Sequence, residues 1–551
     1  MCGIFAVCHE SGCADKFPLD LAEKHSSRQA HRGPDCRGSY VHPETGDILC
    51  HERLAIMDLS CVQPLAGTTD KYQVIHNGEI YNHRALREKE LAQFAMRTSC
   101  DSEVIVFLYE LLQKGELCSL LDGVFAFALI ADGDFLAARD PIGVKQMYYG
   151  RDGAGRWFFS NEMKCIEDVC GPHTLAPFPP GHFFQKDRGF TRYYQPAWFE
   201  HRLCTAPADL DLLRETLVTA TTKRLMSDAP MGLLLSGGLD SSLISAIAAR
   251  EMKKLGLAVH SFAVGVDANS PDIVAARKVA AYIGTQHHEV YFSLEDGLAV
   301  VDRLVWHLET YDVTSIRAST PMYLLSEYIQ KMGIKVVLSG EGSDEIFGGY
   351  LYFHNAPSDE EFQKETIDRV LHLHTSDCLR ADKSCMAHSI EVRVPFLDKA
   401  FLDVAMSMAP AAKRPAEYGG RLVEKYVIRK AFDVEEDPLL PAEILWRQKE
   451  QFSDGVGYSW IDGLMQHCAA QVTDEELAAA ASLFPHNTPH SKEALYMRRL
   501  FAAHFPSDNA ARAVRKWIPK WQANQDPSGR ASLVHVSSIA KEMQQEIRAE
   551  A

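Results

Sequence analysis

The stretch that most constrains the fold spans residues 232–242 and has the sequence GLLLSGGLDSS. Its apolar run suits a strand buried on both faces, and apolar residues recur at helical spacing from residue 239 to residue 250. A glycine-rich turn between such a strand and helix lies at the helix N-terminus, where backbone N–H groups and the helix dipole attract anions. We therefore predict a phosphate-binding turn built from the backbone N–H groups of Ser236, Gly237 and Gly238 and the hydroxyls of Ser241 and Ser242.

This turn differs from the Walker type of nucleotide-binding loop, because it contains no lysine and has Asp240 instead. A carboxylate beside a polyphosphate is repulsive unless a cation lies between them, so Asp240 predicts Mg²⁺ bound together with a nucleotide. The string SGGLDSS resembles the signature of the pyrophosphatase-loop (PP-loop) ATP hydrolases, which adenylate a substrate and release pyrophosphate. A plain strand–turn–helix joint, with glycines for backbone reasons alone, is the alternative.

Length, net charge and composition restrict the class of protein to which the chain can belong. A chain of 551 residues exceeds one hydrophobic core, so we expect roughly two to four domains. The formal net charge of -17 argues against a general nucleic-acid binder, which needs a basic face. The fourteen cysteines form no CxxC pair, and we see neither a signal peptide nor an apolar run of the ~20 residues that span a membrane. We expect a cytoplasmic protein without a membrane partner.

The chain opens with MCGIFAV, a short apolar run that predicts a strand. Removal of Met1 would place a thiol and a free α-amino group on Cys2. An α-amine with a pKa of about 7.7–8.0 is a general base near neutral pH, so Cys2 is a candidate nucleophile that needs no histidine. A buried, inert cysteine is the alternative.

Three further patterns in this half carry polar side chains. We interpret residues 53–57 as an arginine that leads a strand, and Asn77-Gly78 as a hairpin turn after residues 72–76. The same turn offers an amide and a backbone N–H as oxyanion donors. Asp101 precedes a predicted helix, where an N-cap carboxylate is the simple interpretation.

The motifs MCGIF, HRGPD, RLAI, NGEIYN and CDSE, in this order, resemble the glutaminase domain of class II glutamine amidotransferases, which are N-terminal-nucleophile hydrolases. The resemblance covers residues 2–195 and implies a four-layer αββα sandwich. It implies Cys2 as nucleophile, and Asn77 and Gly78 as oxyanion donors. One departure is Lys145-Gln146-Met147, where Arg-Pro-Leu is frequent. The implied glutamine-binding residues are Arg53, Leu54, Ala55, Ile56, Met57, Asn77, Gly78, Glu79 and Asp101, with Arg53 on the α-carboxylate and Glu79 and Asp101 on the α-ammonium.

A linker is predicted at residues 196–208, where prolines and aromatics occur without periodicity. Beyond it, predicted strands at 259–264, 287–292 and 334–338 alternate with helices, which indicates a parallel-sheet α/β domain over residues 209–525. Ligands of such sheets bind at the carboxyl ends of the strands. Residues 526–551 are polar, and we predict a mobile tail there.

The carboxyl-end rule selects further residues. Leu234 and Val264 fall late in two strands, where backbone groups can meet an adenine. The acidic turn 339–345 follows a strand directly; it is either a solvated loop or a ligand set for metal and substrate, with Asp344 as a second metal ligand. Arg317 and Lys449 are candidate cations for the charge that develops between the α- and β-phosphates, although each could be an ordinary surface cation.

The motifs SGGLDSS, SFAVG, TSIRASTP, SGEGSDEIFGGY, EVRVPFLD and WRQKEQFSDGVGYSWID extend the resemblance to the glutamine-hydrolysing asparagine synthetases, over residues 2–505. The resemblance implies synthesis of L-asparagine from L-aspartate, L-glutamine and ATP through β-aspartyl-AMP, with ammonia passing inside the protein. It implies that Glu341 guides adenylate formation and that Lys449 contacts pyrophosphate. The expected ATP-binding residues are Leu234, Ser236, Gly237, Gly238, Asp240, Ser241, Val264, Ser339 and Gly340, with Mg²⁺ on Asp240 and Asp344.

Two alternative functions stay open. One is a β-lactam synthetase-like ligase that adenylates another carboxylate; such proteins typically lack the N-terminal cysteine that this chain has. The other is a sensor of glutamine or nucleotide that keeps the fold without catalysis, which the loss of a reactive group would favour. The oligomeric state is not determined by the sequence, and a homodimer is one option.

Overall fold

Two six-stranded antiparallel sheets form the N-terminal part of the computed structural model, which describes residues 2–10, 15–112, 115–447 and 455–522. Their strands are β1 (Gly3–Cys8), β2 (Cys36–Val41), β3 (Ile48–Arg53), β4 (Leu65–Ala66), β5 (Tyr72–Ile80), β6 (Gly123–Ala131), β7 (Asp134–Arg139), β8 (Tyr148–Arg151), β9 (Trp157–Ser160), β10 (Ala176–Pro177), β11 (His182–Gln185) and β12 (Gly189–Arg192). The strand orders are β10-β8-β9-β1-β3-β2 and β12-β11-β7-β6-β5-β4.

The two sheets pack face to face between helices. Helix α1 (Leu19–Ser27) contacts β1 and β3, while α3 (Glu103–Leu112), which follows the short α2 (His83–Glu88), contacts β4 and β5 on the other sheet. Alternate residues of the facing strands fill the space between the sheets, because successive side chains of a strand point to opposite faces. The predicted αββα sandwich is confirmed.

Two local predictions in this half are wrong. Asn77-Gly78 forms no hairpin turn; both residues lie inside β5, opposite Ala126 and Phe125 of β6. Continuous pairing with a buried central strand outweighs the local turn preference of Asn-Gly. Arg53 ends β3 instead of leading a strand, and residues 54–57 form a loop.

A five-stranded parallel sheet forms the second half, with strand order β15-β14-β13-β16-β17. This α/β architecture was predicted and is confirmed. Because β13 pairs with β14 on one side and β16 on the other, the loops that follow β13 and β16 open into one crevice. The strands are β13 (Met231–Leu234), β14 (His260–Gly265), β15 (Gln286–Tyr291), β16 (Val336–Leu338) and β17 (Glu391–Arg393), with a separate hairpin of β18 (Ala416–Tyr418) and β19 (Arg421–Val423).

Helices cover this sheet and extend beyond it. They are α4 (Leu210–Lys223), α5 (Leu239–Lys254), α6 (Pro271–Ile283), α7 (Leu294–Leu308), α8 (Val313–Lys331), α9 (Ser343–Phe347), α10 (Asp359–His372), α11 (Asp377–Met386), α12 (Lys399–Ser407), α13 (Pro410–Lys413), α14 (Tyr426–Phe432), α15 (Ala442–Leu445), α16 (Tyr458–Gln471), α17 (Asp474–Ala478), α18 (Ala480–Leu483), α19 (Lys492–His504) and α20 (Asp508–Ala513). In the described ranges, no helix combines the length and apolarity that crossing a membrane requires. The predicted tail, 526–551, lies outside the described residues.

Buried polar contacts join the two halves. Arg32, which is fully buried, pairs with Glu162 at 2.7 Å in its own half and with Asp382 of α11 at 2.9 Å. Trp198, in the predicted linker, is buried and donates to Asp403 of α12 at 3.1 Å. A buried charge is tolerated only when it is paired, so these contacts fix how the halves meet.

Candidate active sites

Cys2 lies just before β1 and is buried, with 7% of its surface exposed. Its backbone N–H donates to Asn77 Oδ1 at 2.9 Å, and its Sγ lies 3.8 Å from the carbonyl oxygen of Leu54. Burial raises the pKa of the Cys2 thiol, and the nearby Arg53 guanidinium opposes that shift. A nucleophile in this position therefore needs a base to take its proton.

Asn77 and Gly78 are placed beside Cys2 by β5. Because Asn77 Oδ1 accepts from Cys2, its Nδ2 is the remaining donor; this atom is buried and has no hydrogen-bond partner among the described residues. Gly78 lines the same pocket at φ +143°, and a Cβ there would collide with the Val124 carbonyl. The two residues thus offer donors next to a thiol, as an oxyanion site requires.

Arg53 contributes a buried cation to this pocket. Its guanidinium donates to the carbonyl oxygens of Met57 at 3.2 Å, Asp58 at 2.6 Å and Leu59 at 3.2 Å. No ion pair that includes Arg53 occurs in the part of the chain that the structure describes. A buried guanidinium solvated by neutral carbonyls suits an incoming carboxylate.

Of the other residues predicted to contact glutamine, some line the pocket and one does not. Leu54, Ile56 and Met57 line the pocket. Ala55 does not; its N–H instead donates to Asp35 Oδ2 at 2.6 Å, which anchors the loop after β3.

Glu79 and Asp101 both line the pocket, and both are buried. Asp101 Oδ2 accepts from the backbone N–H of Ile80 at 2.7 Å, so this carboxylate anchors the end of β5. Burial raises the pKa of the Asp101 carboxyl and raises that of Glu79 well above its usual range, where Arg393 opposes the shift. Glu79 Oε1 lies 2.9 Å from Arg393 Nη2.

The pocket therefore includes groups from both halves. Glu391 on β17 lines it together with Cys2, and Lys145 lies 3.7 Å from Glu391, with both side chains fully buried. The motif EVRVPFLD was visible in the sequence, but nothing in it indicated that its first and third residues reach the other half. The pocket is small, with a volume of about 20 Å³.

A larger cavity of about 140 Å³ lies at the carboxyl ends of β13, β14 and β16. Gly237 does not line it: this residue has φ +74°, a Cβ would collide with the backbone of Ala276, and its carbonyl accepts from Arg447 at 3.1 Å. Ser242, which is fully buried, does not line it either. The other predicted residues of this region meet there, namely Leu234, Ser236, Gly238, Asp240, Ser241, Val264, Ser339, Gly340, Glu341 and Asp344.

The predicted phosphate turn is present at the start of α5. The helix begins after Gly238, and the described residues provide no side-chain cap there. Ser236 N–H donates to Ser241 Oγ at 3.2 Å, and the two hydroxyls lie 3.0 Å apart. Gly340 packs so closely that a Cβ would lie 2.6 Å from Ser241 N. An uncapped helix N-terminus between two glycine turns is a site for an anion.

Asp240 and Asp344 converge on Lys425, at 2.5 Å and 2.6 Å from its Nζ. Asp240 Oδ1 is buried and makes no hydrogen bond with the described residues. Within those residues, no group of three or more His, Cys, Asp or Glu side chains is placed to hold a metal. Mg²⁺ usually takes one or two protein carboxylates and completes its shell with water and phosphate oxygens, so this pair fits Mg²⁺ bound with a nucleotide.

Glu341 also lines this cavity and is held by Arg380 of α11, at 2.8 Å. Burial raises the pKa of the Glu341 carboxyl, and the adjacent Arg380 opposes that shift. Arg380 also pairs with Asp377 at 2.9 Å. Lys425, Arg380 and Arg447 also line the cavity and were not predicted, although Arg447 lies within the motif WRQKEQFSDGVGYSWID.

Two predicted cations stand apart. Arg317 does not line the cavity. Its guanidinium binds Glu493 of α19 at 2.6 Å, and its carbonyl accepts from Trp460 at 3.0 Å. This buried pair fastens α8 to α19. Lys449 lies outside the described residues.

The fold and the two sites define an amidotransferase half joined to a nucleotide-binding synthetase half. Family models agree: the model "Glutamine amidotransferase domain" matches residues 1–177, and the model "Asparagine synthase" matches residues 212–364 and 355–533.

Curated relatives match over nearly the whole chain. Asparagine synthetase (glutamine-hydrolyzing) 2 of Lotus japonicus is 46% identical over 99% of this chain and 96% of its own length. Asparagine synthetase (glutamine-hydrolyzing) 3 of Arabidopsis thaliana is 47% identical over 100% and 98%. A probable asparagine synthetase (glutamine-hydrolyzing) of Dictyostelium discoideum is 48% identical over 98% and 100%. The chain belongs to the family of glutamine-hydrolysing asparagine synthetases.

Proposed function

We propose that the two sites of this chain act in sequence to make L-asparagine from L-aspartate, with ATP as the energy source and glutamine as the nitrogen donor. The products are L-glutamate, AMP and pyrophosphate. The observation that carries this proposal is the presence, in one chain of that family, of a buried cysteine beside oxyanion donors and of a phosphate turn facing paired carboxylates.

In the first site, Cys2 Sγ attacks the side-chain amide of glutamine. After removal of Met1, the α-amine of Cys2 takes the thiol proton and passes it to the leaving ammonia, which leaves a thioester on Cys2. Water then hydrolyses this thioester and releases L-glutamate and the free thiol. Asn77 Nδ2 and the N–H of Gly78 stabilise the oxyanion, which the unpartnered Nδ2 supports. Arg53 binds the α-carboxylate of glutamine, while Glu79 and Asp101 bind its α-ammonium.

In the second site, the α5 N-terminus and the turns at Ser236 and Gly340 hold the phosphates of ATP. Mg²⁺ bound to Asp240 and Asp344 would offset phosphate charge when present. Leu234 and Val264 flank the adenine, and Glu341, fixed by Arg380, orients the aspartate carboxylate that attacks the α-phosphate. We keep Lys449 as a pyrophosphate contact on the resemblance alone.

Ammonia then travels between the sites without meeting water. In water near neutral pH, ammonia is mostly protonated to ammonium, which is not nucleophilic. The proposed walls include Val124, Ile142 and Leu234, which are buried in one continuous apolar cluster that spans both halves. We also propose a cytoplasmic location, which the free state of every described cysteine supports.

Product analysis tests this function. Purified protein is incubated with Mg²⁺, ATP, glutamine and aspartate, and each substrate is omitted in turn. The expected result is one asparagine, one AMP and one pyrophosphate formed together, with no AMP when aspartate is left out. Formation of ADP, or AMP formation that another carboxylate supports better than aspartate, would contradict the proposal.

A further inference from the structure

Arg393 does not line the pocket near Cys2, but it contacts Glu79, which does, and it belongs to the parallel sheet of the other half. It ends β17, and its Nη2 lies 2.9 Å from Glu79 Oε1 on β5. Arg393 is fully buried and Glu79 is 3% exposed. The contact is a buried ion pair without hydrogen-bond alignment, because Arg393 Nη2 makes no hydrogen bond with the described residues.

The guanidinium of Arg393 is held on its other sides as well. Its Nε donates to Glu391 at 2.6 Å, and its Nη1 donates to the carbonyl of Arg224 at 2.7 Å and to that of Met226. A planar guanidinium held by three hydrogen bonds, one from Nε and two from Nη1, has one orientation, and this orientation places Nη2 beside Glu79.

Glu79 has a second oxygen that this arrangement leaves available. Oε2 is buried and makes no hydrogen bond with any described residue, in a pocket that also contains Cys2. A buried carboxylate oxygen without a donor is costly, and a donor in the substrate removes that cost. Under the proposed function, that donor is the α-ammonium of glutamine.

The backbone of the same residue reaches the other site. The carbonyl of Arg393 accepts the N–H of Ser339 at 2.9 Å, and Ser339 lines the larger cavity. A variant that keeps the backbone but changes the side chain therefore separates the two contacts.

We propose that Arg393 is a positioning residue for glutamine: its ion pair with Oε1 holds the Glu79 carboxyl in place, so that the unpartnered Oε2 can accept from the substrate's α-ammonium. This inference rests on the proposed function of the first site. The glutamine pocket is then completed by the synthetase half, and Arg393 contributes to selectivity for an amide that carries a free α-ammonium.

Charged groups around Glu79 set its response to pH. Burial raises the pKa of the Glu79 carboxyl, Arg393 lowers it, and the carboxylates of Asp101 and Glu391 raise it. Tyr81, whose pKa burial also raises, faces the same cluster. Loss of the Arg393 charge raises the pKa of Glu79 further, so binding of the ammonium weakens as the pH falls.

The test compares Arg393→Gln and Arg393→Lys with Arg224→Lys, all in the full-length chain. Arg224 is a matched control, because it is 1% exposed, pairs with Asp398 at 2.7 Å and packs over Tyr81 without binding Glu79. Two amides are used as substrates: glutamine, and glutaramate, which lacks the α-ammonium. Ammonia-dependent asparagine synthesis reports on the integrity of the second site.

For Arg393→Gln we expect KM for glutamine to rise at least tenfold, and more at pH 6.5 than at pH 8.5, with kcat within about threefold of the wild type. The kcat/KM for glutaramate should stay within about twofold, and Arg393→Lys should recover part of the loss. Arg224→Lys should leave KM for glutamine within about twofold.

Two outcomes overturn the inference while the wild type hydrolyses glutamine. One is an unchanged KM for glutamine in Arg393→Gln; the other is an equal loss for glutamine, glutaramate and ammonia-dependent synthesis, which marks a structural role. A wild type that hydrolyses no glutamine would instead contradict the proposed function itself.

Discussion

The two pockets of this chain differ in size and in how they are built. The pocket near Cys2, which we propose binds glutamine, has a volume of about 20 Å³. The cavity between β13 and β16, which we propose binds ATP, has a volume of about 140 Å³. The smaller pocket is formed between β5, the loop after β3 and Glu391 of β17, whereas the larger cavity is formed by the loops at the carboxyl ends of a parallel sheet.

The difference in charge is equally clear. In the glutamine pocket, Arg53 binds only neutral carbonyls in its described contacts, and Asn77 Nδ2 has no described partner. In the ATP cavity the charged groups are paired with one another, as Asp240 is with Lys425 and Glu341 with Arg380. In the first site Glu79 is also paired, with Arg393, but Arg53 is available to bind a carboxylate. In the second site, ligands must rearrange existing ion pairs. Removing one group should therefore disable one site and spare the other.

Cys2→Ala should give the largest effect. It removes the only atom that bonds covalently to glutamine, so glutaminase activity should fall at least about 10³-fold. Ammonia-dependent synthesis should stay within about twofold, because the second site is separate. Rates of glutamate release and of asparagine formation from ammonium measure both. Loss of the ammonia-dependent rate in a folded variant would show that the sites are not separable in this way.

Asp240→Asn should impair the second site and spare the first. It removes one proposed Mg²⁺ ligand with little change in volume, so aspartate-dependent pyrophosphate release should fall about 10–100-fold while glutaminase activity is retained. Chelation of Mg²⁺ in the wild type should have the same selectivity. Asp302→Asn, on the exposed face of α7, is the control. An unchanged rate over a Mg²⁺ titration would remove Asp240 from this role.

Val124→Phe should give the smallest effect and concerns the space between the pockets. Val124 lies on β6 opposite Glu79 and belongs to the apolar cluster that also contains Ile142 and Leu234. A larger ring there should leave glutaminase and ammonia-dependent rates near the wild type, but reduce asparagine formed per glutamine hydrolysed about two- to fivefold. If this ratio stays at its wild-type value with the ring shown in place, the route for ammonia lies elsewhere.

The sequence predicted the second fold better than the details of the first. The strand–turn–helix at residues 231–254 and the alternation of strands with helices depend on local periodicity, which the sequence displays directly. Asn77-Gly78 was predicted as a turn because the local preference is strong, but its pairing with β6 joins residues far apart in the chain. Such pairing has no local signal.

Prediction of the site residues was limited in the same way, because contacts between residues far apart in the chain have no local signal. Residues within motifs, such as Cys2, Asp240 and Glu341, were predicted and line the expected pockets. Lys425 and Arg393 were not, because their importance depends on which distant carboxylate they meet. Arg317 was predicted at the phosphates from its charge and motif; its pairing with Glu493 is a contact between α8 and α19 that no spacing could indicate.

The most direct test of the central claim, that the two pockets perform one reaction, follows the nitrogen atom. The chain is incubated with glutamine labelled with ¹⁵N in its side-chain amide, together with Mg²⁺, ATP, aspartate and an excess of unlabelled ammonium at a pH where most of it is protonated. Mass spectrometry then measures ¹⁵N in the side-chain amide of asparagine. The account predicts that most asparagine carries ¹⁵N, with one AMP formed per asparagine. Asparagine whose label has been diluted to that of the bulk ammonium would contradict it.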